Sequence, residues 1–153
     1  MKRILTFVLL AATLVAGTAL AADPIIGTWT LNVAKSKFNP GPAPKAMTRT
    51  YTEAAGVYTL DQKMTGADGT DSTMQVHYRK NKEDKQAGNA AFDSTTAKRI
   101  DANTWDFVAK KDGKVVLNVH RVVAHDGKSM IVHNVAKLPS GAKTDDVLLF
   151  DKN

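Results

Sequence analysis

Residues 104–124 read TWDFVAKKDGKVVLNVHRVVA, and this stretch decides the fold. Trp105, Phe107 and Ala109 recur at every second position, Asp112-Gly113 supplies the positive φ of a tight reversal, and Leu117, Val119, Arg121 and Val123 recur at every second position beyond it. Two strands joined by such a turn make a hairpin with one inner and one outer face. A three-residue loop, Lys111-Asp112-Gly113, opposes Ala109 to Val115, Phe107 to Leu117 and Trp105 to Val119, so each pair on the inner face is apolar. A two-residue loop opposes Trp105 to His120 and Phe107 to Asn118 and buries polar groups beside the large rings. The first register is therefore expected, and it carries Arg121 to the inner face. The same loop type at His125-Asp126-Gly127 pairs Arg121 with Ile131, Val119 with His133 and Leu117 with Val135, which turns His133 inward too. A two-residue loop sets His120 against His133 instead, but two imidazoles without an evident third ligand make a poor metal site, and no metal is expected.

The same grammar extends outward from this hairpin. Alternating runs separated by Gly56, Asp68-Gly69, Asn103, Asp126-Gly127 and Ser140-Gly141 predict strands near 26–33, 46–54, 57–65, 70–79, 92–100, 104–110, 114–124, 128–137 and 144–151, with a weak extra strand within 84–90. So many consecutive hairpins leave long unpaired edges unless the sheet closes. Nearly every link is a few residues, which favours an all-β, up-and-down antiparallel barrel of about eight to ten strands over a Greek-key sandwich. One connection differs: Ala34 to Lys45 carries Pro40, Pro42 and Pro44, which forbid both ladder pairing and a helix interior. It reads as a rigid connector, with a lid over one barrel mouth or a Pro-rich ligand for another protein as the other readings. Lys80 to Asn89 mixes charges and reads as a solvated loop.

The chain has 153 residues, 21 Lys plus Arg against 15 Asp plus Glu, and no Cys, which fits a single domain without disulfides. Lys2 and Arg3 precede an apolar, small-residue run that ends Ala19-Leu20-Ala21, the three parts of a secretory signal peptide cleaved after Ala21. Residues 22–153 are then the barrel domain, expected in the periplasm or secreted, as a monomer without a stable membrane anchor. The basic residues are scattered, without the aromatic-interleaved stripe that nucleic-acid binding uses. There is no Gly-x-Ser-x-Gly, no phosphate-cradling Gly-rich loop and no His-Glu-x-x-His, so neither an enzyme nor a bound cofactor is expected.

Ile26-Gly27-Thr28-Trp29-Thr30-Leu31 resembles the Gly-x-Trp opening strand of the calycin superfamily, the lipocalins and intracellular fatty-acid-binding proteins. Asp112-Gly113-Lys114, Arg121, Asp126-Gly127-Lys128 and Phe150-Asp151-Lys152 are similar in order and approximate spacing to the last strands of fatty-acid-binding proteins. Lys35 to Phe38 and Pro40 to Pro42 resemble segments of small exported bacterial proteins of unknown function. The resemblance implies that Trp29 packs across one end of the barrel and that Arg121 lies near the position of an interior Arg that holds fatty-acid carboxylates. Those proteins carry Arg-x-Tyr on the last strand, where this chain has Leu148-Leu149-Phe150, and a helix pair after the first strand, which is not visible here.

The expected function is an exported lipocalin-like binding protein for a small apolar or amphipathic ligand, held among Arg121, His133, Trp105, Phe107, Leu117 and Val119. The alternative is a ligand-free structural or protein-interaction barrel of the cell envelope, with Arg121 at the rim or paired to an internal carboxylate. Protein recovered from its own host is expected to begin at Ala22 on N-terminal sequencing; full-length chain in the cytosol would contradict export.

Overall fold

The computed structural model describes residues 22–138 and 140–153, so the leader expected at 1–21 lies outside the described residues. Alternation becomes ten strands: β1 (Gly27–Leu31), β2 (Ala46–Ala54), β3 (Val57–Thr65), β4 (Asp71–Arg79), β5 (Lys82–Lys85), β6 (Ser94–Arg99), β7 (Thr104–Lys111), β8 (Lys114–Val123), β9 (Ser129–Lys137) and β10 (Lys143–Lys152). All pair antiparallel in the order β4-β3-β2-β1-β10-β9-β8-β7-β6-β5. Each strand lies beside its sequence neighbour, and β10 returns to β1 with Trp29 opposite Lys152. This is the expected up-and-down barrel, nearly closed. Where the fatty-acid-binding resemblance implied helices, only one 3-10 turn follows β1, at Val33–Lys35.

The sheet order leaves β4 and β5 as its two edges, and curling brings them together. Side chains complete what the backbone ladder leaves open. The Arg79 backbone N–H donates to Asp84 Oδ2 at 2.7 Å and its Nε–H to Asp84 Oδ1 at 2.8 Å. Gln86, 8% exposed, donates its amide to the His77 carbonyl at 2.5 Å and the Thr95 hydroxyl at 2.9 Å. The charged segment expected as a solvated loop thus contains β5 and the seam closure; strand pairing starts at Lys82 rather than at 84.

The two hairpins that set the inner face differ from expectation. Asp112 (φ 50°) and Gly113 (φ 73°) both take positive φ and form a two-residue turn with Lys111 opposite Lys114. A register shift past Lys110–Val115 then leaves Val116 as an extra residue, so Ala109 faces Leu117, Phe107 faces Val119 and Trp105 faces Arg121. From Leu117 to Val123 the bulge restores the predicted inner parity, displaced by two residues against β7, whereas Val115, expected on the inner face opposite Ala109, stands exposed before the bulge. At the next hairpin the Ala124 N–H donates to the Ser129 carbonyl and Val123 pairs with Met130, so the loop holds four residues rather than three. One extra residue flips every side chain of β9. Met130 and Val132 are buried, and His133 stands exposed on the outer face opposite His120, a correction to its expected inward place. His133 Nε2 lies 2.6 Å from Asp145, and His120 Nδ1 2.6 Å from Asp106.

One end of the barrel is plugged by the segment before β1. Trp29, fully buried, donates its indole N–H to the Ile25 carbonyl at 2.8 Å, and the Lys152 ammonium lies 5.0 Å over its ring. Asp23 accepts the Tyr58 hydroxyl at 3.0 Å and pairs with Arg99 at 3.0 Å. Tyr58 stacks on Tyr78 and meets Trp105 edge-on at 5.0 Å. Burial first, and the Asp23 carboxylate second, push the Tyr58 phenol up to about 12 from its ordinary 10.0. Its contribution to stability is therefore full below pH about 10 and decreases toward pH about 12, because the unfolded phenol ionises first. Denaturant titrations across that window are expected to show falling stability, with a smaller slope in Tyr58→Phe and the remainder carried by Tyr78, whose phenol burial also raises to about 12.

Candidate ligand site

Period-two alternation projects Arg49 and Tyr51 from β2, Tyr78 from β4, Phe107 from β7 and Arg121 from β8 into one stretch of the barrel interior. Arg121 is 2% exposed. Its guanidinium carbon lies 5.4 Å from the Tyr51 ring centre and 5.5 Å from those of Tyr78 and Phe107, a cage of three π-faces. Among the described residues, Arg121 Nε and Nη2 have no hydrogen-bond partner, and neither do the hydroxyls of Tyr51 and Tyr78. Arg49, 7% exposed, donates Nε–H to Gln62 Oε1 at 2.8 Å and lies 4.9 Å over the Phe150 ring.

Among the described residues no carboxylate pairs with either arginine; the ion pairs found are Arg79–Asp84, Arg99–Asp23, His120–Asp106 and His133–Asp145. Burial alone would push the Tyr51 phenol up, but the Arg121 and Arg49 guanidiniums outweigh it and hold the phenol below its ordinary range. Burial also works against the charge on Arg49, and Arg121 adds to that, so the Arg49 value falls. Arg121 feels the same burial, yet the Tyr78 and Tyr51 phenols favour its charge and raise its value. The site is thus a cationic interior whose internal counter-group is a phenol, and its unmet capacity is for an acceptor-rich anion.

Arg49, Tyr51, Phe107, Leu117, Val119 and Arg121 line an internal void of about 50 Å³. Among the described residues its wall contains no carboxylate or imidazole. Toward the other mouth, Phe38, Pro40, Pro42 and Pro44 cover a second pocket of about 320 Å³ over Met47 and Met64, and Asn134 borders both spaces. The Pro-rich connector therefore lies over a barrel mouth. It is tied to β10 by Asn39, whose carbonyl accepts the Asp145 N–H and whose N–H donates to Asp146 Oδ1.

Of the residues expected at the site, Arg121, Phe107, Leu117 and Val119 meet at the void. Trp105 is fully buried but packs against Tyr58 and Tyr78 at the plugged end, because its true partner across the hairpin is Arg121 rather than Val119. His133 is absent from the interior for the reason given by its loop. Sequence reasoning missed Arg49 and Tyr51. Their signal was present as Arg49-Thr50-Tyr51, an Arg-x-Tyr that stands on β2 where the resemblance directed attention to the last strand. Strand order places β2 one strand beyond β1 from β10, so the pair still looks into the same interior.

No family model matches the sequence, and no curated protein matches it. Several solved structures match by shape. The fluorescent protein UnaG superposes with a TM-score of 0.55 at 18% identity, over 84% of this chain and 96% of that one. A mutant of UnaG gives 0.59 at 15% identity, over 85% and 96%. The ileal bile acid-binding protein of zebrafish, complexed with cholic acid, gives 0.53 at 9% identity, over 85% and 99%. At such identities the likeness concerns architecture, and it agrees with the topology derived above: the chain has the calycin-like β-barrel fold.

Proposed function

We propose that this protein is an exported carrier that takes a small amphipathic anion into its barrel, with the acidic head against Arg121 and Arg49 and the apolar body toward the mouth under the Pro-rich loop. The observation that supports it is the pair of buried guanidiniums without a carboxylate partner. An uncompensated buried cation costs several kcal/mol, and an incoming carboxylate with bidentate geometry offsets that cost. The zebrafish bile acid-binding protein, of the same fold, is seen with cholic acid, itself an amphipathic acid. Export rests on the leader at 1–21.

A second reading is favoured by the void of about 50 Å³, which is room for a water or two rather than a ligand. On that reading the barrel is filled by its own side chains and acts in the envelope without a small ligand. The first reading requires Met74 and Leu117, on the same wall, to turn aside; the unbranched Met side chain adapts most readily.

Displacement of a fluorescent fatty-acid analogue by cholate and stearate separates the two readings, together with native mass spectrometry of protein from its own host. Binding and a co-purifying organic acid are expected; a bare mass and no displacement would establish the filled barrel. Arg121→Met is expected to weaken anion binding by about 2 kcal/mol or more and to leave thermal stability unchanged or improved, since no carboxylate is stranded. Loss of about 3 kcal/mol of stability would reveal an internal partner for the charge.

A further inference from the structure

Asn134 stands where the two interior spaces meet. It borders the void beneath Arg121 and also the larger pocket beneath Pro40 and Pro42. It faces Val119 across β8 and Asp146 across β10. Among the described residues its buried Oδ1 has no hydrogen-bond partner, and it is the one amide oxygen so orphaned. A buried amide oxygen left unpaired costs about 1–3 kcal/mol, and a simple hydrocarbon chain passing it leaves that cost in place.

The charges along the barrel axis fix which end of a ligand passes Asn134. Arg121 and Arg49 lie inward of it, while Asp146 borders the mouth pocket. An anionic head is repelled at the mouth and attracted at the interior, so the head travels inward and the body comes to rest beside Asn134. The pocket beyond is mostly apolar, walled by Phe38, Met47, Met64 and Leu148 with Thr144 and Asp146 at its border, and suits a tail.

We propose that Asn134 is the specificity-determining residue of a second subsite, where its amide receives a hydroxyl carried part-way along the apolar body of the ligand while the tail lies under the Pro-rich loop. The ligand class is then a hydroxylated amphipathic acid rather than a plain fatty acid. The inference rests on the proposed anion-binding function and narrows it. Because Asn134 Oδ1 is already unpaired in the free protein, a ligand hydroxyl that donates to it recovers that cost, a gain that an analogue without the hydroxyl forgoes.

The test compares stearate with monohydroxystearates in which the hydroxyl is moved stepwise along the chain, each titrated into the wild-type protein, Asn134→Leu, Asn134→Ala and Arg121→Met. One hydroxyl position is expected to bind wild type at least roughly tenfold tighter than stearate. In Asn134→Leu, which keeps the number and branching of the side-chain heavy atoms and removes the polar ones, that preference disappears while stearate binds as well as before or better. Asn134→Ala gives the same loss of preference should the Leu variant fail to fold. Arg121→Met weakens all the acids together and keeps the preference for the hydroxyl. Stearate bound with no hydroxyl preference in wild type, or a preference that survives both Asn134 variants, overturns this inference alone. Failure of every acid to bind wild type overturns the anion-binding reading and this one with it.

Discussion

Arg121 sits in the barrel wall with 2% of its surface exposed, no carboxylate opposite it and three aromatic rings around it. Desolvating that charge costs several kcal/mol, and the structure around it is arranged to limit the loss. Tyr51, Tyr78 and Phe107 present their π-faces to the cation, and they come from three different strands, β2, β4 and β7. Those strands reach one guanidinium only when the sheet curls. The cage around Arg121 and the closure of the barrel are therefore the same event seen locally and globally.

Closure in turn depends on what happens at the two edges. A ten-stranded sheet with β4 and β5 unpaired presents free backbone groups, and here the Gln86 amide and the Asp84 carboxylate occupy groups that a further strand would have paired. The plugged end is fastened by polar contacts onto the segment 23–26, with Trp29, Tyr58, Arg99 and Lys152 each holding one of its atoms. Toward the opposite mouth, among the described residues, the Pro-rich loop and Gly66-Ala67 of the β3–β4 turn border the outer pocket. Along the axis, Asp146 borders the pocket under that loop, and Arg121 and Arg49 line the void further in.

Much of this was legible in residue order. The Asp-Gly pairs located hairpins because only residues tolerant of positive φ turn a chain so tightly, and nearly every predicted strand lies within a residue or two of its observed span. The inner face of β8 was also legible, since Leu117, Val119, Arg121 and Val123 share one parity whatever their partners. The place of His133 was not, because parity in β9 depends on a single residue in the 125–128 loop, and His125-Asp126-Gly127 suits loops of either length.

Residue order alone establishes that the chain is all-β, antiparallel and up-and-down, because turn chemistry and period-two alternation are local properties that each short segment carries. It also establishes that one inward strand bears an arginine. That Arg49-Thr50-Tyr51, far from Arg121 in the chain and read as an ordinary strand segment, shares its interior, and that Asn134 borders both compartments, emerges only once the sheet has closed. The reason is physical: a cavity is the surface left when strands distant in sequence close on one another, and its lining is set by register, bulges and strand order across the whole sheet, which no single segment encodes.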